Sequence, residues 1–256
     1  MSRTGLVVLV LLAAAAALAA TWLPRIPQDP AYHGFADQRT LLGIPHALNV
    51  LSNLPIALAG MFGAARLRRL ARPHHAAGGA VVCAAAVLAA AGSAWYHLAP
   101  STAGLALDRL PIAAGFMALL ALVIGDRISA RAGRAALWPL VAAGIGTVVY
   151  WYWSETMGRG DLRPYAVAQF LPLILIPLLL LATRPAALRA RWLWGTLFSY
   201  ALAKIAEHLD WPIFQITDAL ISGHTLKHLF AALAVLCAVL ALPVRAISVP
   251  SQAAHR

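Results

Sequence analysis

Long runs of Ala, Leu, Val and Ile alternate along this chain with short segments that carry Arg, Pro and Gly. Crossing about 30 Å of hydrocarbon takes about 20 apolar residues in a helix. Eight runs meet that length: residues 5–23, 44–64, 78–98, 105–125, 135–154, 165–183, 193–209 and 222–242. The connections between them are too short to hold a soluble domain, so the pattern predicts one polytopic, all-α membrane domain. The first run, with Arg3 ahead of it and Ala17-Leu18-Ala19 near its end, has the outline of a secretory signal. Trp22 followed by Pro24 reads instead as an interfacial helix end, and favours a retained helix.

Polar positions within the runs are not scattered. Successive helices alternate in direction, and on that trace the polar groups gather at one end of the bundle. Asn49, Ser52 and Asn53 open the second helix, Ser93 and His97 close the third, and Asp108 and Arg109 open the fourth. Gln169 lies early in the sixth helix. Lys204, Glu207, His208 and Asp210 close the seventh, and His224, Lys227 and His228 open the eighth. The other halves are almost purely apolar. Ionisable groups are costly in hydrocarbon and tend to face a bundle interior, so this sorting predicts a shared polar chamber open toward one face.

Composition agrees with a membrane protein, at 61% hydrophobic and 11% charged residues. The net charge of +11 would suit a nucleic-acid partner, but its distribution does not. Thirteen basic residues fall on one side of the membrane: Arg3, Arg66, Arg68, Arg69, Arg72, Arg127, Arg131, Arg134, Arg184, Arg189, Arg191, Arg245 and Arg256. Four fall on the other, Arg25, Arg39, Arg159 and Arg163. This is a positive-inside asymmetry. It predicts cytoplasmic termini, a polar chamber toward the exterior, and a lipid bilayer rather than nucleic acid as partner. An excess of Arg over Lys together with abundant Ala suggests a bacterial cytoplasmic membrane. Cys83 and Cys237 sit in apolar runs and read as small packing residues.

The chemistry lies in Ser93, His97, Asp108, His224 and His228. Ser93/His97 and His224/His228 are each spaced i, i+4, which places each pair on one helix face. Three neutral imidazoles from two helices suit Zn²⁺ with one coordination position left for water. Taken singly, Ser93 could bond back to its own helix and Asp108 could cap a helix start. Asn53, Lys204, Glu207 and Asp210 read either as an ion-pair network or as the wall of a substrate pocket. His33, His74, His75 and His255 read as solvated loop or tail residues, and His208 is left open. The tryptophans, Trp151 among them, read mostly as an interfacial belt. No His-Glu-x-x-His motif, paired-haem spacing or Gly-rich nucleotide loop is present.

Four segments together resemble the alkaline ceramidase family, within the superfamily of membrane hydrolases that includes the adiponectin/progestin receptor-like proteins. They are Asn49-Val50-Leu51-Ser52-Asn53, Gly92-Ser93-Ala94-Trp95-Tyr96-His97, Leu107-Asp108-Arg109-Leu110-Pro111 and Ser222-Gly223-His224-Thr225-Leu226-Lys227-His228. The resemblance spans about residues 33–240. It implies a seven-transmembrane-helix bundle over 44–243. The extra N-terminal helix and external loop over 1–43 depart from that core, and with a cytoplasmic tail over 244–256 the chain is expected to hold eight helices in all. The resemblance further implies zinc on His97, His224 and His228, with Ser93 and Asp108 as catalytic residues. The expected activity is zinc-dependent amide hydrolysis of ceramide or a related N-acyl lipid, giving a fatty acid and an amine such as a sphingoid base. A zinc-stabilised receptor or sensor and a lipid ester hydrolase are the alternatives, and an ion carrier ranks below both. The family's calcium-binding acidic segment is not matched. His46 stands where a Glu is expected and only Asp37 offers a nearby carboxylate, which argues against calcium dependence.

Overall fold

The computed structural model describes residues 22–184 and 186–245. Among these residues the chain forms α1 (Ala47–Leu51), α2 (Leu54–Leu67), α3 (Ala76–Leu98), α4 (Thr102–Arg127) and α5 (Ala130–Thr156). It continues through α6 (Arg163–Ala182), α7 (Ala190–His208), α8 (Asp210–Ile216) and α9 (Gly223–Ala241). Short 3₁₀ turns at Pro30–His33 and Pro73–His75 complete the set, and no strand is formed among the described residues. Most of the expected first helix and the tail beyond Arg245 lie outside them.

Helix starts follow local chemistry. Ser101, Ser129 and Ser222 are N-caps whose hydroxyls accept the backbone N–H groups of Gly104, Ala132 and Thr225, each at 3.1 Å. Such a cap satisfies one of the donors that a first turn leaves without an intrahelical partner. Pro55 and Pro164 occupy first turns, where no N–H is required.

Among the described residues six spans are long and apolar enough to cross a membrane: Ala47–Leu67, Pro73–Leu98, Thr102–Arg127, Ala130–Thr156, Arg163–Ala182 and Gly223–Ala241. These agree with an integral membrane protein. The expected 44–64 span is interrupted, because α1 stops at Leu51 and α2 restarts after Ser52 and Asn53. The expected 193–209 span forms as α7, but Arg191, Lys204 and Glu207 make it less apolar than the other six. The eightfold count therefore stands at six spans plus α7 among the described residues. Large apolar side chains such as Leu58, Trp95, Leu181 and Phe198 point outward and exposed, as a lipid-facing surface requires.

The helices pack as neighbours: α2 on α3, α3 on α4, α4 on α5 and α6, and α9 on α2 and α7. A dry cluster that includes Leu120, Val123, Leu179, Leu193 and Leu242 fills the arginine-rich end. At the other end the helices bury polar side chains, Ser93, His97, Asp108, His224 and His228 among them.

Candidate metal centre

His97 closes α3, and His224 and His228 occupy the first turns of α9. Their side chains converge. Ring centroids are 4.8 Å apart for His97–His224, 5.1 Å for His97–His228 and 5.0 Å for His224–His228. One ligand nitrogen from each lies within 4.8 Å of the others, close enough to hold one metal ion. All three rings are buried. Both ring nitrogens of His97 are buried with no hydrogen-bond partner, a costly arrangement that a metal would relieve. The donor set fits an imidazole-rich ion such as zinc, copper or nickel.

Close backbone approaches bring the ligands together. A Cβ on Gly92 would lie 2.6 Å from the Leu107 carbonyl oxygen, so only glycine lets α3 sit this tightly on α4. That carbonyl is free of its helical partner because Pro111, four residues on, has no N–H. A Cβ on Gly223 would lie 2.2 Å from the Ala206 carbonyl oxygen, so the start of α9 can press against the end of α7. Asp210, at the head of α8, accepts the backbone N–H of His224 at 2.7 Å and that of Ala36 at 2.9 Å. Its carboxylate thereby satisfies the first turn of α9, where negative charge is favoured, and fixes the backbone that carries His224.

The second layer sets the tautomer of His228. Ser52 Oγ lies 3.2 Å from the Asn49 carbonyl oxygen, to which it donates, and 2.7 Å from His228 Nδ1, an arrangement that suits the Nδ1–H tautomer. This leaves Nε2 unprotonated as a ligand atom, 3.4 Å from Ser93 Oγ. Asn49 Oδ1 accepts from Thr225 at 2.8 Å, which locks α1 to α9. Phe35 covers the site, with its ring centroid 4.6 Å from those of both His97 and His224.

Beside the histidines, Lys227 Nζ pairs with Glu207 Oε1 at 2.7 Å, and Lys204 pairs with the other oxygen of the same carboxylate. Tyr32 donates to Glu207 at 2.9 Å. Burial, followed by the Glu207 charge, pushes the Tyr32 phenol well above its ordinary pKa, so it stays a donor. Asp108 is buried one helical turn ahead of Pro111. Arg109 is buried against Trp151, Tyr165 and Tyr32, at 4.3, 5.0 and 5.4 Å from the ring centroids. A cavity of about 380 Å³ is lined at one end by Ser93, Asp108, Arg109, Glu207, Lys227 and His228. Its far wall is apolar, made by residues such as Val82, Leu119, Ile176 and Ala238.

Several expectations need correction. His75 is not solvated: it is buried, with Nε2 3.6 Å from Asp126 Oδ1. His33 is half-buried and its Nδ1 lies 2.8 Å from the Tyr96 hydroxyl; burial, with the Arg109 charge, lowers its pKa. Trp151 is fully buried and belongs to the Arg109 site, not to an interfacial belt. His208 is exposed, and His255 lies outside the described residues. Asp210 holds backbone, while Lys204, Glu207 and Asn53 do line the cavity. Asp37 is engaged by both Arg39 Nε and Nη2, at 2.8 and 2.7 Å. Cys83 and Cys237 are buried free thiols.

Sequence reasoning missed Phe35, Ser52 as a tautomer-setting residue, and the aromatic seat of Arg109. Ser52 alone carried a signal, as the i+3 neighbour of Asn49 in a polar cluster. No protein-family model matches the chain, and no curated protein matches it significantly.

Proposed function

We propose that the protein is a zinc-dependent intramembrane amide hydrolase that cleaves ceramide or a related N-acyl lipid. The observation that carries this reading is the shared chamber. One ligand histidine, a serine and a carboxylate all face a single cavity whose other wall is apolar and sized for an acyl chain. His97, His224 and His228 would hold the ion, which when bound supplies Lewis acidity and an acidified water at neutral pH. Ser93 then donates a hydrogen bond to the amide oxygen as negative charge develops there. Asp108 takes a proton from the attacking water and returns it to the leaving nitrogen. A C–O bond forms, the C–N bond breaks, and a fatty acid and an amine leave.

A receptor built on the same ion would be expected to close the site with a fourth protein ligand. Among the described residues the cluster of potential ligands holds three histidines only. An ester hydrolase would use the same residues, and a panel of matched amide and ester lipids separates the two.

The test is hydrolysis of N-acyl lipids by purified protein before and after chelation, with metal content measured in parallel. Activity should vanish with zinc and return with it. Full turnover in a verified zinc-free preparation would sink the proposal.

The orientation belongs to the same reading. Cytoplasmic termini and an exterior-facing chamber, in a bacterial cytoplasmic membrane, are supported by the arginine asymmetry. Single cysteines at Ala103 and Ala130, in a background lacking Cys83 and Cys237, test it in intact cells. An impermeant thiol reagent should label the first and spare the second, and the opposite pattern overturns the orientation.

A further inference from the structure

The polar end of the cavity holds more positive than negative side chains. Arg109, Lys204 and Lys227 face it together with only Glu207 and Asp108. Glu207 is already shared by both lysines and the Tyr32 hydroxyl. Arg109 rests on aromatic faces, and its Nη1 is buried with no hydrogen-bond partner. A bound divalent ion would add to this excess. Unbalanced charge is costly away from water, and a buried guanidinium with an idle N–H is matched geometrically by a carboxylate or phosphate oxygen.

We infer that the acyl lipid taken by this site carries a negatively charged headgroup, whose anion is received by Arg109 with support from Lys204. The inference rests on the hydrolase reading and narrows it, from ceramide, whose headgroup is neutral, to N-acyl lipids with an anionic headgroup. The acyl chain occupies the apolar wall, the amide lies at Ser93 and Asp108, and the anion sits against the Trp151–Tyr165–Tyr32 seat. A neutral headgroup would leave the Arg109 Nη1 donor idle. The aromatic seat holds the guanidinium in place without neutralising it, so its charge stays available to a ligand.

Binding to the full-length protein in detergent, in excess chelator, separates this inference from catalysis, because no metal is then present to attract the anion. The probes share one acyl chain: N-oleoylglycine, N-oleoylethanolamine and oleate. N-oleoylglycine should bind at least ~10-fold tighter than N-oleoylethanolamine. That advantage should shrink in Arg109→Gln and in Lys204→Met, the second of which alters a more exposed side chain. Equal affinities in the unaltered protein would overturn the inference, as would an advantage that survives in both variants. Tight oleate binding with no preference between the other two lipids would also overturn it, and would assign the seat to the fatty-acid product. If charge selectivity holds but the zinc-loaded protein hydrolyses neither amide, the hydrolase reading fails and the anion seat stands.

Discussion

Each end of this bundle buries a histidine beside ionisable groups, yet the two ends are built differently. At the arginine-rich end Asp126 sits 3.2 Å from Arg127 Nε and 3.6 Å from His75 Nε2, and accepts the backbone N–H groups of Ala187 and Leu188, both at 2.9 Å. Its Oδ1 is occupied by backbone N–H groups and its Oδ2 faces the Arg127 guanidinium, and the adjoining void is only about 20 Å³. At the other end Ser52 backs His228 and Asp210 holds the backbone of His224, and His228, Ser93 and Asp108 border a cavity nearly twenty times larger. Burial of polar groups is common to both ends. What separates a staple from a candidate site is open space beside the polar groups.

Removing one key group from each end gives the largest contrast. His228→Ala should lose the metal and all turnover while the bundle still folds, as read by metal analysis and circular dichroism. Asp126→Asn should do the reverse. Breaking a buried charge pair costs about 3–5 kcal/mol, so its thermal midpoint should fall while metal content per folded chain is kept. Loss of metal in Asp126→Asn would erase the distinction between the ends. Ser93→Ala comes next: it should retain the metal but lose about 10²–10³-fold in kcat. Ser52→Ala should weaken metal affinity by about 10–100-fold, the usual effect of losing a hydrogen bond behind a ligand histidine. Competition with a graded chelator measures it.

The smallest effect concerns Asp161, outside both regions. Arg163, bonded to it at 2.7 Å, holds its carboxyl below the usual range. A lowered folded-state pKa gives stability that is present above the unfolded value of about 4 and lost as pH falls through the folded value. Asp161→Asn should therefore lower the melting temperature slightly at pH 7, and the difference should close in acid.

The convergence of His97, His224 and His228 was legible in the sequence because their i, i+4 spacing and shared depth follow from helix geometry and direction. The break at Ser52–Asn53 was hidden inside one apolar run, although Pro55 marks the restart. Arg109 was placed only by its position beside Asp108 at the start of the fourth helix. Its real neighbours come from three separate segments, at Tyr32, Trp151 and Tyr165. His75 was placed in solvent because it follows a run of arginines, and its burial depends on Asp126, fifty-one residues away. Asp210 looked like a member of the charged cluster, whereas it caps a helix that begins thirteen residues later. In each case the missing information was a contact between elements.

The segment that carries Phe35 has a consequence for how the ion and the chain influence each other. Phe35 lies against two of the three ligand rings, and the next residue, Ala36, donates to the same Asp210 that steadies His224. Docking of this segment and occupation of the histidines are thus two binding events that share one set of atoms. Linkage makes the effect of each on the other equal in free energy. Where docking favours a bound ion, a ligand or substitution that lifts the segment would loosen that ion without touching a histidine, and its departure would make the same stretch of chain easier for a protease to cut.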